Sequence, residues 1–363
     1  MGGTYSSAAG RRYRRARRLR RGQRGVVAVI GTLLALLVFF ALFGIFLTQY
    51  VPLWMTDNEA MYTSQASTSF ATLKSVIDEQ YALDGPQTVG TPFQVSSQGI
   101  PLIAQPTQGT LEFLPNSCPG SGGVGFFSAT ATGGAKGNGG ASSSTAQYGQ
   151  PVTPTFCVFA NVTESVGPGG VPNYGQQIAS GTLQMILPNR YYSPETFYME
   201  EDGVVQSQSS TYQVLAFPPP LNISYAGGNT TITTSFLQLY GNASAVVGQG
   251  SQEVYSQLRY ASLQTSNGRG TPFTFTYEIG TQYPCAWDPF LYKLVTQSGV
   301  PAADYKLAGN FSHAESYILT PSYTGSCYSG SGATTILAFS LTTVNYAQVY
   351  VAGVQITMGI GVA

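Results

Sequence analysis

Charge is what this sequence has least of: 9% of its 363 residues are Asp, Glu, Lys or Arg, against roughly 25% in soluble globular domains. Gly, Ser, Thr, Gln and 24 Tyr stand in their place, a polar but uncharged surface that suits a secreted or cell-surface protein better than a cytosolic one. The chain has one histidine, His313, in Asn310-Phe311-Ser312-His313. No motif surrounds it, and it reads as a surface or satisfied residue. With no CxxC pair as well, the common zinc sites are excluded. GxSxG, HExxH, Walker and dinucleotide patterns are absent. The glycines at 119–140 lack the Lys-Ser/Thr ending of a phosphate loop. Glu200-Glu201-Asp202-Gly203 offers too few oxygen ligands for calcium by itself and reads as a solvated hairpin turn. The expectation is a protein that is no enzyme and holds no cofactor or metal.

The zero net charge cancels two regions. Nine of the 16 basic residues lie between Arg11 and Arg24, while all 16 acidic residues lie downstream. After Gly25, seven basic residues stand against sixteen acidic ones, a net −9. A basic block can mean nucleic-acid binding, but an apolar run follows at once. Val26 to Leu47, VVAVIGTLLALLVFFALFGIFL, is uncharged throughout. At about 1.5 Å per residue its 22 residues span ~33 Å, the thickness of a bilayer's hydrocarbon core. It is too long for an ordinary secretory signal, and no A-x-A site follows. Gln49, Tyr50 and Trp54 supply interfacial groups. The arginines on one flank, with Asp57 and Glu59 on the other, place the N-terminus in the cytoplasm and the bulk outside. A single-pass membrane protein with no nucleic-acid partner is expected.

Past the span, Tyr62, Ala66, Phe70, Leu73 and Ile77 recur at helical spacing and predict one amphipathic stripe. Lys74 and Asp78 form an i,i+4 pair. Asp84-Gly85-Pro86 ends the helix, and Pro52 is expected to kink or briefly interrupt it. The element from Val26 to Tyr81 would be about 85 Å long. Arg24-Gly25-Val26 followed by Val29-Ile30-Gly31-Thr32-Leu33-Leu34 resembles the processing-site pattern of the archaeal type IV pilin and pilin-like family, a match covering roughly residues 20 to 80. That resemblance implies cutting by a membrane prepilin peptidase between Gly25 and Val26, with Gly22 and Gln23 as the second choice. It also implies copies of the same chain and the pilus assembly machinery as partners. The other reading of these residues is an unprocessed signal anchor.

From Pro86 onward, strand-like stretches alternate with turn signals: 100–104, 110–114, 155–162, 182–187, 212–217, 230–240 and 272–279. A final pair, 335–343 and 348–360, is expected with Asn345 in the turn between them. One short helix is expected from Asp288, as cap, to Ser298, closed by Gly299. The fold class is therefore α+β, a long N-terminal hydrophobic helix followed by a mainly antiparallel, sandwich-like head. Four segments are expected: a basic leader 1–25, the transmembrane or assembly helix 26–82, and two β-rich extracellular regions, 83–190 and 191–363. The first carries a Gly/Ser-rich, mobile loop at 119–150, and the break falls near Asn189 to Pro194.

Cys118, Cys157, Cys285 and Cys327 form an even set in an exported chain, which favours two disulfides. Pairing of sequence neighbours is the simplest of three connectivities, and four buried thiols are the alternative. Asn161, Asn222, Asn229, Asn242 and Asn310 stand in N-x-S/T sequons, all on the outer side. These residues together predict a pilin-like structural or adhesive subunit at the cell surface that assembles through its N-terminal helix into a filament. A monomeric, membrane-anchored binding protein for a glycan or protein ligand is the alternative.

Overall fold

The computed structural model describes residues 8–83, 87–100, 103–115, 158–165, 172–208, 212–248, 250–267, 271–308 and 335–360. One helix, α1 (Ala8–Ala82), dominates the N-terminal part. It ends where the breaker cluster predicted and starts well upstream of Val26. Pro52 lies inside the helix and does not interrupt it. Proline removes one ladder bond, but Val51 and Met55 on the same turn are buried in the head, and that packing carries the helix through.

Six strands form the smaller sheet, in the order β11-β2-β5-β6-β7-β8: β2 (Gly109–Leu114), β5 (Thr182–Leu187), β6 (Glu195–Glu200), β7 (Gly203–Ser207), β8 (Gln213–Phe217) and β11 (Ser244–Gly248). The larger sheet has nine strands, with β1-β12-β15-β13-β3-β4 as its main path. These are β1 (Thr88–Gln94), β12 (Ser251–Asn267), β15 (Thr335–Ile360), β13 (Phe273–Thr281), β3 (Val158–Ser165) and β4 (Pro172–Ser180). Three more join beside that path: β9 (Asn222–Ala226), β10 (Asn229–Tyr240) and β14 (Tyr305–Ala308). Pairing is antiparallel throughout except between β10 and β15. The segment 189–194, expected as a boundary, connects β5 to β6, which are neighbours in one sheet.

The chain passes from one sheet to the other at Gly181, between β4 and β5. A β-carbon there would lie 2.6 Å from the Phe113 ring and 2.9 Å from the Leu114 carbonyl oxygen, so only glycine fits. Its N–H donates to the Leu239 carbonyl at 2.7 Å.

Three local expectations fail for identifiable reasons. The final pair of strands is one strand, β15, and Asn345 lies inside it. Before Asn345, β15 pairs with β13 and β14; after it, with β12, while β10 joins it from Val344 onward. The β10 register skips one residue here, and the Asn345 side-chain oxygen accepts the Thr230 backbone N–H at 2.9 Å. A turn-forming residue thus serves a β-bulge, its side chain replacing a ladder bond. In the stretch 100–104, Ile100 and Ala104 form a single bridge and no strand; residues 101–102 lie outside the described residues, and a proline at 101 has no N–H to give a ladder. The short helix is α2 (Pro284–Gln297), one turn longer than expected. Pro284 takes the first position, and Asp288 is an interior, buried residue instead of the cap. Gly299 (φ +82°) follows the helix end as predicted.

Two apolar clusters flank the central strands. Tyr62, Ala66, Phe70, Leu73 and Ile77 of α1 share one cluster with both sheets, for example Phe113 and Phe197 of the smaller and Val254 and Val354 of the larger. Trp287, Leu291 and Val295 of α2 pack with Phe236, Phe275, Tyr277 and Phe339 in the second. β10 and β15 contribute to both, through Phe236 and Leu237 and through Val351 and Ala352.

Candidate functional site

Helix α1 has two environments along one rod. From Val29 to about Tyr50 its side chains are exposed all round, including Leu33, Leu37, Phe40 and Leu42. Such a helix is stable in lipid or in a bundle of its own kind, not in water. It is the one helix among the described residues long and apolar enough to cross a membrane. A β-carbon at Gly31 would meet nothing within 4 Å, so this face is open to a neighbour. Phe39 stacks on Phe43 (centroids 6.0 Å), and Phe46 packs on Tyr50 and Trp54 (5.7 and 5.5 Å).

From Val51 the same helix buries a stripe: Val51, Met55, Glu59, Tyr62, Ala66, Phe70, Leu73, Ile77 and Gln80. The predicted apolar positions all fall on it. Phe70 sits edge-on to Phe93 (5.1 Å) and stacks on Phe197 (5.7 Å). Polar ties fix the helix axially. Asn58 Nδ2 donates to the Gln98 carbonyl (3.0 Å), Ser69 Oγ to the Pro92 carbonyl (2.8 Å), and Gln80 Nε2 to the Gln87 and Ser256 carbonyls (2.9 and 3.0 Å).

Glu59 is the strongest of these ties and lies near the point where the helix leaves the head. Its carboxylate is fully buried and accepts the backbone N–H groups of Arg190, Tyr191 and Tyr192 (3.0, 2.7 and 2.7 Å) and the Thr107 hydroxyl (2.6 Å). Burial alone pushes its pKa up, but the four hydrogen bonds together outweigh that and hold it below the usual carboxylate range. Sequence reading gave Glu59 only a flanking, topological role. The missed signal was its phase, since an acid four residues after Met55 and three before Tyr62 sits on the core face.

A second acid group was also misjudged. Glu201 and Asp202 form the two-residue loop of the β6–β7 hairpin, with left-handed φ of +45° and +61°. The turn is not solvated: Glu200, Glu201 and Asp202 are 0%, 1% and 3% exposed. Glu200 accepts the Trp287 indole N–H (2.6 Å) and the Thr281 hydroxyl. Asp202 pairs with Lys74 of α1 (3.0 Å) and accepts from Ser235 (3.1 Å). Lys74 also makes the predicted pair with Asp78 at 3.3 Å. Burial pushes Glu200 up to about 7, although both hydrogen bonds oppose it. Burial first, and then its two acidic neighbours, hold Glu201 well above the usual carboxylate range. Asp202 rises to about 6, chiefly through burial, with Lys74 pulling it down. Burial also lifts Asp288 to about 7. No group of three or more His, Cys, Asp or Glu among the described residues is arranged to hold a metal.

Gly22, Gln23, Gly25 and Val26 lie in the backbone of α1, and their side chains lie outside the described residues. Cys285 is the second residue of α2, and no described cysteine carries a free thiol; Cys118, Cys157 and Cys327 lie outside the described residues. Asn222, Asn229 and Asn242 are exposed, the first two at either end of the β9–β10 hairpin. Asn161 lies in β3 between β13 and β4. Asn310, His313 and the glycine-rich stretch 119–150 fall outside the described residues. Comparison of this chain with protein-family models, curated proteins and solved structures finds no match in any of the three.

Proposed function

We propose that this chain is a pilin-like structural or adhesive subunit of the cell surface, assembled into a filament through its N-terminal helix. One observation carries the reading: a single helix is bare and apolar over residues 29–50, then tied into a folded head from Val51 onward. Before assembly the bare half sits in lipid, with the arginine-rich N-terminus in the cytoplasm and the head outside. After assembly it buries against sister helices. Each large side chain so buried is worth about 1.5–3 kcal/mol against water, so a filament core built this way resists dissolution. Gly31 and Ala35, one turn apart, permit close approach of neighbouring helices.

In this reading a prepilin peptidase cuts between Gly25 and Val26, or between Gly22 and Gln23, and assembly machinery extracts the helix. The head is a sandwich-like pair of sheets stapled by two disulfides, Cys285 contributing to one. Sugars on the exposed Asn222, Asn229 and Asn242 hydrate a surface with few charges. The head coats the filament or meets a surface ligand, without catalysis or nucleic-acid binding.

Antibody against the head, viewed by negative-stain microscopy of intact cells, tests the reading. Filaments labelled along their length support it. Diffuse envelope labelling replaces it with the monomeric anchored binding protein, which the same bare helix also suits. N-terminal sequencing of the native chain separates processing at Val26 or Gln23 from a retained leader.

A further inference from the structure

The β6–β7 turn sets three consecutive carboxyl groups in the interior with one cation among them. Lys74 pairs with Asp202. Glu200 uses one oxygen for Trp287 and Thr281, and its other oxygen has no partner; Glu201 has no hydrogen bond to either oxygen among the described residues. An ionised carboxylate buried in that way is strongly disfavoured, and the group takes up a proton instead. The turn also occupies a joint. It touches α1 through Lys74, β10 through Ser235, β13 through Thr281 and α2 through Trp287, and so joins the helix to both apolar clusters. Its backbone is strained as well, with two non-glycine residues in succession in the left-handed region.

We propose that this turn is a proton-operated latch, holding the head shut against α1 only while Glu200 and Glu201 are protonated, so that the fold is fitted to acidic surroundings and loosens as the pH rises through neutrality. The groups facing the turn do not compensate the charge that then appears. From α1, Lys74 is the one cation, while Asp78 and Tyr81 add negative or ionisable character. From β13 comes Tyr277, raised first by its burial and then by the three acids. Among the described residues, β10 and α2 bring the Ser235 hydroxyl and the Trp287 N–H to the turn. Because the folded-state values lie above the unfolded ones, the folded chain binds the extra protons. The stabilisation is complete below about pH 4 and is lost as the pH rises through 6 to 7 and above. Glu200 moving from 4.5 to about 7 by itself changes the folding equilibrium by roughly 300-fold between about pH 4.5 and 7. The latch does not depend on filament assembly, so either idea can fail without the other.

The test is chemical unfolding of the full detergent-solubilised chain at several pH values from 4 to 8, read by tryptophan fluorescence, with amide exchange followed in parallel. The wild-type midpoint falls from pH 5 to 8, and protection across residues 70–78 and 195–207 is lost before the rest. Glu201→Gln makes that fall shallower by the share of one carboxyl group and leaves the midpoint near pH 4 unchanged. Asp288→Asn removes the share of that acid and leaves the remaining slope to the turn. Lys74→Met lets Asp202 rise further, so the fall deepens and runs on to higher pH, and it decides the matter if Glu201→Gln does not fold. A midpoint that is level or rising from pH 5 to 8 overturns the latch, as does a wild-type slope in Glu201→Gln or an unmoved fall in Lys74→Met. Restoration of the pH 8 midpoint by calcium or sodium also overturns it, since a metal cation would then balance the turn in place of protons.

Discussion

Replacing Glu59 tests whether the head is oriented on its helix by a buried carboxylate. Glu59→Gln keeps the size and one carbonyl oxygen, which can still accept from Tyr191 and Tyr192, while the Thr107 hydroxyl can reverse and accept from the new amide. What is lost is the charge on those bonds and one of the two Arg190 contacts, about 2 kcal/mol at the strength of charge-assisted hydrogen bonds. Glu59→Ala leaves the N–H groups of residues 190–192 without an acceptor. At about 1–3 kcal/mol each, reduced where water reaches the exposed Tyr191 and Tyr192, the cost is about 4 kcal/mol. Denaturant unfolding at pH 7 measures both. The pH dependence gives an independent check, because Glu59 is held below its ordinary value. Its contribution is present above about pH 4.5 and disappears as the pH falls through the lower folded value. The gap between wild type and Glu59→Gln therefore closes in acid, opposite in sign to the latch. Equal losses in Gln and Ala would show that volume, not hydrogen bonding, matters here. Losses under about 1 kcal/mol in both would refute the tie altogether.

Phe70→Ala removes a fully buried ring held between Phe93 and Phe197 and should cost about 3–5 kcal/mol by denaturant unfolding. A β-carbon at Gly353 would fall inside the Tyr260 ring on the neighbouring strand. Gly353→Ala should therefore cost about 1–3 kcal/mol, and a Tyr260→Ala background should absorb much of that in a double-mutant cycle. Leu37→Asp, on the bare half of α1, should leave head unfolding within about 0.5 kcal/mol of wild type. It should also reduce recovery of the chain in membrane or filament fractions, since an acid at mid-span costs about 2.5–3.5 kcal/mol in lipid.

Legibility followed periodicity. The stripe from Tyr62 to Ile77 and the strands β2, β5, β10 and β13 were readable because each buries a face at its own spacing. β1 hid behind Gly90 and Pro92, and β12 (SQEVYSQLRYASLQTSN) behind its polar residues; over 251–257 it lies between β1 and β15. The Asn345 signal was real but local, since a bulge and a turn use the same side-chain chemistry. The acids at 200–202 formed the hairpin expected of them; their burial was invisible, because what covers them comes from residues 74, 235, 277 and 287.

By itself the sequence determined the apolar rod, the charge asymmetry across it and the strand-rich remainder, because these depend on spacing and composition within short windows. Only the tertiary structure decided which strands share a sheet, that β15 changes partners at one residue, and that Glu59 and the 200–202 acids lie inside. Burial and hydrogen-bond partnership are properties of residues far apart in the chain, and no local window carries them.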